Sequence, residues 1–179
     1  MVEPVCQSAC PPGLVLFLGA FLLPFVSGTL RSVVALAIPL LALALVWTIP
    51  DGPALTVHWF GYELVPVQGD ALSRLFGTVF TIMAFAGGLF SLRQKSRYEL
   101  AAAYAYAGSA VGVVFAGDLL TVFVCWEMMA LASTLVIWCA GPGAFGASMR
   151  YAIIHLLGGV VLMAGIAAHV TATGSIAFT

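Results

Sequence analysis

Apolar residues run in long blocks along this chain, separated by short polar breaks. Six blocks approach or reach the length of a membrane span: Gly13–Ser27, Val33–Ile49, Leu72–Leu92, Leu100–Ala116, Leu119–Ala140 and Met149–Thr171. A helix needs about 20 mostly apolar residues to cross a hydrocarbon core of about 30 Å, with about 17 as the short limit. The first block falls a little short, and Pro11 or Pro12 opens its helix early. Lipid offers the backbone no hydrogen-bond partners, so these segments are expected as helices. The alternating pattern of barrel strands is not what the blocks show. Glu3 and no basic residue precede the first block, and no small-residue cleavage site follows it. It therefore reads as a helix and not as a cleavable signal peptide.

One connection differs from the rest. Within Pro50–Ala71, Leu55–Phe60 (LTVHWF) and Tyr62–Val67 (YELVPV) are strand-like, with Gly61 between them. Pro66 makes the second strand an edge or irregular one. The expected fold is an all-α polytopic membrane protein of about six helices, with a small β-hairpin on the outer face between helices 2 and 3. Residues 1–179 read as a single membrane domain.

Composition sharpens this picture. Charged residues make up 7% of the chain and hydrophobic ones 63%, with a mean hydropathy of +1.13. Polar surface that scarce rules out a soluble monomer, and apolar content that high rules out disorder. A net charge of −1 leaves no basic field for nucleic acid.

The six basic residues set the direction. Arg31, the cluster Arg93, Lys95 and Arg97, and Arg150 all fall on one face by alternation, and Arg74 on the other. The basic face is expected to be cytoplasmic, which puts both termini outside. Trp47, Trp59 and Trp138 fall near the expected interfaces.

Candidate chemistry concentrates in helix 5. Glu127 lies near its middle, where an ionised side chain costs roughly 2.5–3.5 kcal/mol on insertion scales. Such residues mark ion or proton routes, and burial suits the carboxyl to reversible proton binding. The alternative is a protonated glutamate bonded to a neighbouring helix. Trp126 adjoins it as packing or as a wall. Asp118 opens the same helix, either as a helix cap or as an ion-entry carboxylate. His155, in helix 6, is a proton relay or a helix contact beside Gly158 and Gly159. Arg150 is an interfacial anchor or a cation that modulates a buried carboxylate. His155 and His169 lie about 40° apart around helix 6, a placement that invites haem ligation. The remaining histidine, His58, is in the hairpin, so paired ligation fails and His169 reads as an interfacial residue. Cys6 and Cys10 permit an outer disulfide; Cys125 and Cys139 read as small apolar residues. No metal spacing, phosphate loop or nucleophile triad appears, and no cofactor is expected.

The segment GDLLTVFVCWEMMALAS (Gly117–Ser133) resembles the D-L-x3-F-x2-[WF]-E pattern of antiporter-like membrane subunits. These occur in respiratory complex I, membrane-bound hydrogenases and Mrp-type cation/proton antiporters. GDALSRLF (Gly69–Phe76), MRYAIIHLLGGVVLMAG (Met149–Gly165) and TGSIAF (Thr173–Phe178) resemble other family segments, nearest in tone to the Mrp D-type subunits. The resemblance implies that Glu127 is the family's helix-5 glutamate, part of its proton pathway. Arg150 stands where a lysine is usual, and an arginine effectively keeps its proton. The resemblance covers about the first third of a family member, ending before the broken helix 7 and its lysine.

The expectation is a membrane component of a proton-translocating or cation/proton antiporter complex, incomplete without further helices, with Glu127, His155 and Arg150 in its proton pathway and Asp118 as a candidate ion entry. Its partners would be the bilayer, other membrane subunits, protons and Na+ or K+, in a cell inner membrane. The alternative is a structural subunit of a complex I-like or hydrogenase-like assembly without transport of its own. The chain shows no catalytic chemistry itself; an NADH-quinone oxidoreductase label would belong to the assembly.

Overall fold

A computed structural model describes residues 10–59, 61–92 and 96–178. Cys6, Phe60, Arg93 and Lys95 lie outside the described residues. The chain runs α1 (Pro12–Leu22), α2 (Gly28–Val46), β1 (Gly52–Trp59), β2 (Tyr62–Gly69), α3 (Ala71–Ser91), α4 (Arg97–Phe115), α5 (Leu119–Cys139) and α6 (Phe145–Thr173). Among the described residues, four helical segments are long and apolar enough to cross a membrane: α2, α3, α5 and Pro142–Thr173.

The element ends follow local chemistry. Pro24 stops α1, and a 3₁₀ turn at Leu23–Phe25 replaces the expected run to Ser27. Asp70 caps α3 through a reciprocal box with Ser73, and Ser96 caps α4 by accepting from the Glu99 N–H at 3.2 Å. α6 starts at Phe145, earlier than the expected Met149. Gly141, at φ 122°, makes the turn, and Trp138 packs edge-on to Phe145 with ring centroids 5.6 Å apart. That contact rewards extending the helix through a small-residue stretch that reads as loop.

α4 is the middle helix, packed against α1, α3 and α5. Its composition explains the position, because RYELAAAYAYAGSAVGVVF is rich in small residues that let neighbours approach. A Cβ on Gly13 of α1 would sit 2.7 Å from the Gly108 carbonyl oxygen of α4, and one on Gly108 would sit 2.9 Å from the Gly13 oxygen. Both glycines are therefore required at this crossing.

A second contact repairs a break in α2. Pro39 sits inside that helix and has no N–H to give to the Ala35 carbonyl. The buried hydroxyl of Tyr104 in α4 donates to that carbonyl instead. Gly88 of α3 leaves room for the phenol, since any Cβ there would meet its oxygen.

The hairpin pairs Trp59 with Tyr62 and Val57 with Leu64, with irregularities on either side of Leu55. Gly61 takes φ 83° in the turn. Ala54 and Val67 bury their side chains with Leu16, Val46, Val111 and Phe115, which joins the hairpin to the helical core. Arg74 of α3 forms an ion pair with Asp51 and donates to the Ile49 carbonyl at 3.1 Å, tying the end of the α2 loop to α3.

Candidate functional site

Several polar groups of the membrane region gather where α5 meets α6. α6 packs on α5 alone among the other long helices, and its outer side is a sheet of exposed apolar residues such as Ile154 and Val161. On its inner side lie Ser148, Tyr151, His155 and Gly159, spaced three and four residues apart and so on one helical face.

Glu127 projects from α5 onto Gly159. A Cβ on Gly159 would overlap Glu127 Oε1 and lie 2.7 Å from its Cδ, so the glycine is the seat of the carboxyl. Oε1 is completely buried and has no hydrogen-bond partner among the described residues. Glu127 as a whole is only half-buried, whereas the sequence suggests a buried glutamate. Its burial is concentrated at the carboxyl, which α6 covers at Gly159. The fully buried carboxylate is Asp118, at 1% exposure.

His155 lies one turn from Gly159. Its ring sits between those of Trp126, 5.8 Å away, and Tyr151, 5.5 Å away, both tilted. Trp126 thus walls the histidine as well as adjoining the glutamate. His155 Nε2 is buried without a partner among the described residues. Closer to the α5–α6 turn, Ser133 and Tyr151 join their hydroxyls at 3.0 Å, and Ser148 donates to the Thr134 carbonyl at 2.9 Å. Sequence reading missed Tyr151, Ser133 and Ser148, although their helical spacing from His155 was a usable signal.

Asp118 holds a different junction. Its Oδ1 accepts from the Thr121 N–H at 2.7 Å, as a helix cap does. Its Oδ2 accepts from the Val65 N–H of β2 at 2.8 Å and from the Thr121 hydroxyl at 2.6 Å. Gly117 N–H donates to the Val65 carbonyl at 2.8 Å, and Leu119 N–H to the Ile176 carbonyl at 3.0 Å. Asp118 is closed off and committed to hairpin, helix and tail, so its geometry is that of a cap and staple and not of an open ion entry.

Arg150 is exposed at the start of α6 and reaches back over Gly146. The structure does not bring it into the Glu127–His155 group. His169 lies further along α6, beside a small apolar pocket formed with Leu119, Leu162 and Phe178.

Residues 116–179 match the family described as NADH:quinone oxidoreductase/Mrp antiporter, TM. No curated protein matches the chain by sequence. Two solved structures share the fold. One is the membrane-bound sulfane sulfur reductase, an archaeal respiratory membrane complex, with a TM-score of 0.79 at 20% identity over 96% of this chain and 38% of that one. The other is the Mrp complex from Dietzia sp. DQ12-45-1b, with a TM-score of 0.73 at 24% identity over 93% of this chain and 20% of that one. This chain therefore spans well under half the length of either. The sequence match covers α5 and α6, where the carboxyl, imidazole and hydroxyl groups lie, and the fold likeness extends across the other helices: the α5–α6 part of the chain is similar to the NADH:quinone oxidoreductase/Mrp antiporter membrane family.

Proposed function

We propose that the chain is a membrane component of a proton-translocating or cation/proton antiporter complex, with Glu127 as its protonatable site. The observation that carries this reading is the Glu127 carboxyl itself, with Oε1 buried on Gly159 and without a hydrogen-bond partner among the described residues. A glutamate kept only to join two helices would spend that oxygen on a hydrogen bond across the seam. One left without a partner among the described residues, on a face of α6 that also carries His155, is suited to gain and lose a proton. His155 is the next proton group along α6. Arg150, at the end expected to be cytoplasmic, supplies a fixed positive charge and does not carry the proton.

The exposed apolar faces of α3, α5 and α6 support other membrane subunits and lipid as partners. The transported ions would be protons, with Na+ or K+ in exchange, across a cell inner membrane, and both termini would lie outside. The test is Glu127→Gln in the native assembly, reconstituted in vesicles with a pH-sensitive dye. The expected result is a folded, assembled complex without proton transport. Wild-type transport by that variant would establish the structural-subunit reading instead.

A further inference from the structure

Three buried side-chain atoms of α5 and α6 have no partner among the described residues: Glu127 Oε1, His155 Nε2 and, further along α6 by Leu119, His169 Nε2; the first two lie at the Gly159 face of α6. The glutamate carboxyl rests on Gly159, and Gly159 is one helical turn from His155. Residues four apart on a helix are separated by about 5–6 Å. The seat of the carboxyl and the Cβ of His155 are therefore neighbours on one face of α6. A buried water is held by two to four polar groups, and this pair supplies two.

Beyond His155 the polar face continues. The Tyr151 ring packs on the imidazole, and its hydroxyl meets Ser133 of α5 at 3.0 Å. Ser133 has a single proton but three acceptors in reach: the Tyr151 oxygen, the Met129 carbonyl at 2.8 Å and the Ala130 carbonyl at 3.0 Å. When the serine bonds its own helix, Tyr151 becomes the donor to Ser133. When the serine turns to Tyr151, the phenol proton is released to point elsewhere. The pair thus has two hydrogen-bond directions, which is what a hydroxyl relay needs. One turn further toward the α5–α6 connection, Ser148 and the Thr134 carbonyl carry the polar line to the end of the helices.

We propose that one water bonded to both Glu127 and His155, continued by Tyr151 and Ser133, forms the access route by which protons reach Glu127 from the α5–α6 turn side of the membrane. This rests on Glu127 being the protonatable site. In each passage the hydroxyls hand on their own proton as they take the next, so their charge is unchanged at the end. The net event is one proton leaving the solution at the turn and one O–H bond forming on the Glu127 carboxylate.

The test follows deuterium exchange at the Glu127 carboxyl by infrared spectroscopy of the native assembly in lipid bilayers, with the band assigned by its loss in Glu127→Gln. Tyr151→Phe keeps the ring against His155 and removes only the relay hydroxyl. It should slow exchange by about a hundredfold, and Ser133→Ala should do the same. Ser109→Ala removes a hydroxyl bonded within α4, away from the seam, and should leave the rate unchanged. Native exchange rates in both Tyr151→Phe and Ser133→Ala would overturn the route while leaving Glu127 as the site. Equal slowing in Ser109→Ala would also overturn it, since the effect would then be general loosening. A Glu127→Gln complex that still transports, or that removes no carboxyl band, would overturn the underlying reading and this route with it.

Discussion

The carboxyl of Glu127 lies directly on the backbone of Gly159, and the neighbouring Gly158 has open space where a side chain would stand. Two adjacent glycines therefore have opposite tolerances. Gly158→Ala should change stability by no more than about 0.5 kcal/mol. Gly159→Ala should cost about 1–3 kcal/mol through overpacking, and should displace the carboxyl and impair proton transport. Thermal unfolding of the two variants in detergent, alongside vesicle transport, checks both halves; equal behaviour of the two glycines would contradict the seat.

Tyr104→Phe should destabilise the fold by about 1–3 kcal/mol, because the Ala35 carbonyl is then buried with no donor. The ring and its packing are retained, so the loss isolates the hydroxyl. Replacing Pro39 by Ala in the same background should recover part of it, since the helix then supplies its own N–H to Ala35. A double-mutant cycle by thermal unfolding measures this coupling.

Asp118→Ala should cost about 3 kcal/mol, as the α5 cap and the bond to Val65 are lost together. Asp118→Asn should recover only part, because an amide nitrogen turned toward either N–H opposes it. Protease sensitivity of the hairpin should rise in both variants while the helical circular dichroism is kept.

Asp70 gives a pH signature at the hairpin end of α3. The Ser73 backbone N–H, chiefly, holds its carboxyl below the usual aspartate range, against the opposing effect of burial. A depressed folded value means that the ionised cap stabilises α3 above the unfolded value of about 3.9. That contribution is lost as pH falls through the folded value. The stability difference between the native chain and Asp70→Ala should be level at neutral pH and shrink below about pH 4. A difference that grows on acidification would reverse the sign and refute the assignment.

Much of this was legible in the sequence because membrane physics writes it there. The apolar blocks, the strand-like segments around Gly61 and the lone glutamate of helix 5 are all local signals. α4 was legible as a block but not as the centre; its alanines and glycines acquire that meaning only once α1, α3 and α5 are placed around it. The bond from Tyr104 to Ala35 joins residues far apart in the chain, so no window contains it. Asp118 reads as a cap from its neighbours, but its hold on Val65 depends on the hairpin's register. The early start of α6 was hidden because Gly141, Pro142, Gly143 and Gly146 read as a loop, while the Trp138–Phe145 contact that favours it forms between two helices.

The junction at Asp118 also bears on how such a chain is made. Its parts emerge at three widely separated moments: Val65 first, Asp118 later, and Ile176 only after α6. The cluster can close only when two helices separate Val65 from Asp118 and two more separate Asp118 from Ile176, returning all three to one side. A skipped or inverted helix would strand one of them across the bilayer. These few hydrogen bonds act as a parity check on insertion, completed once the segment after α6 has joined the other two.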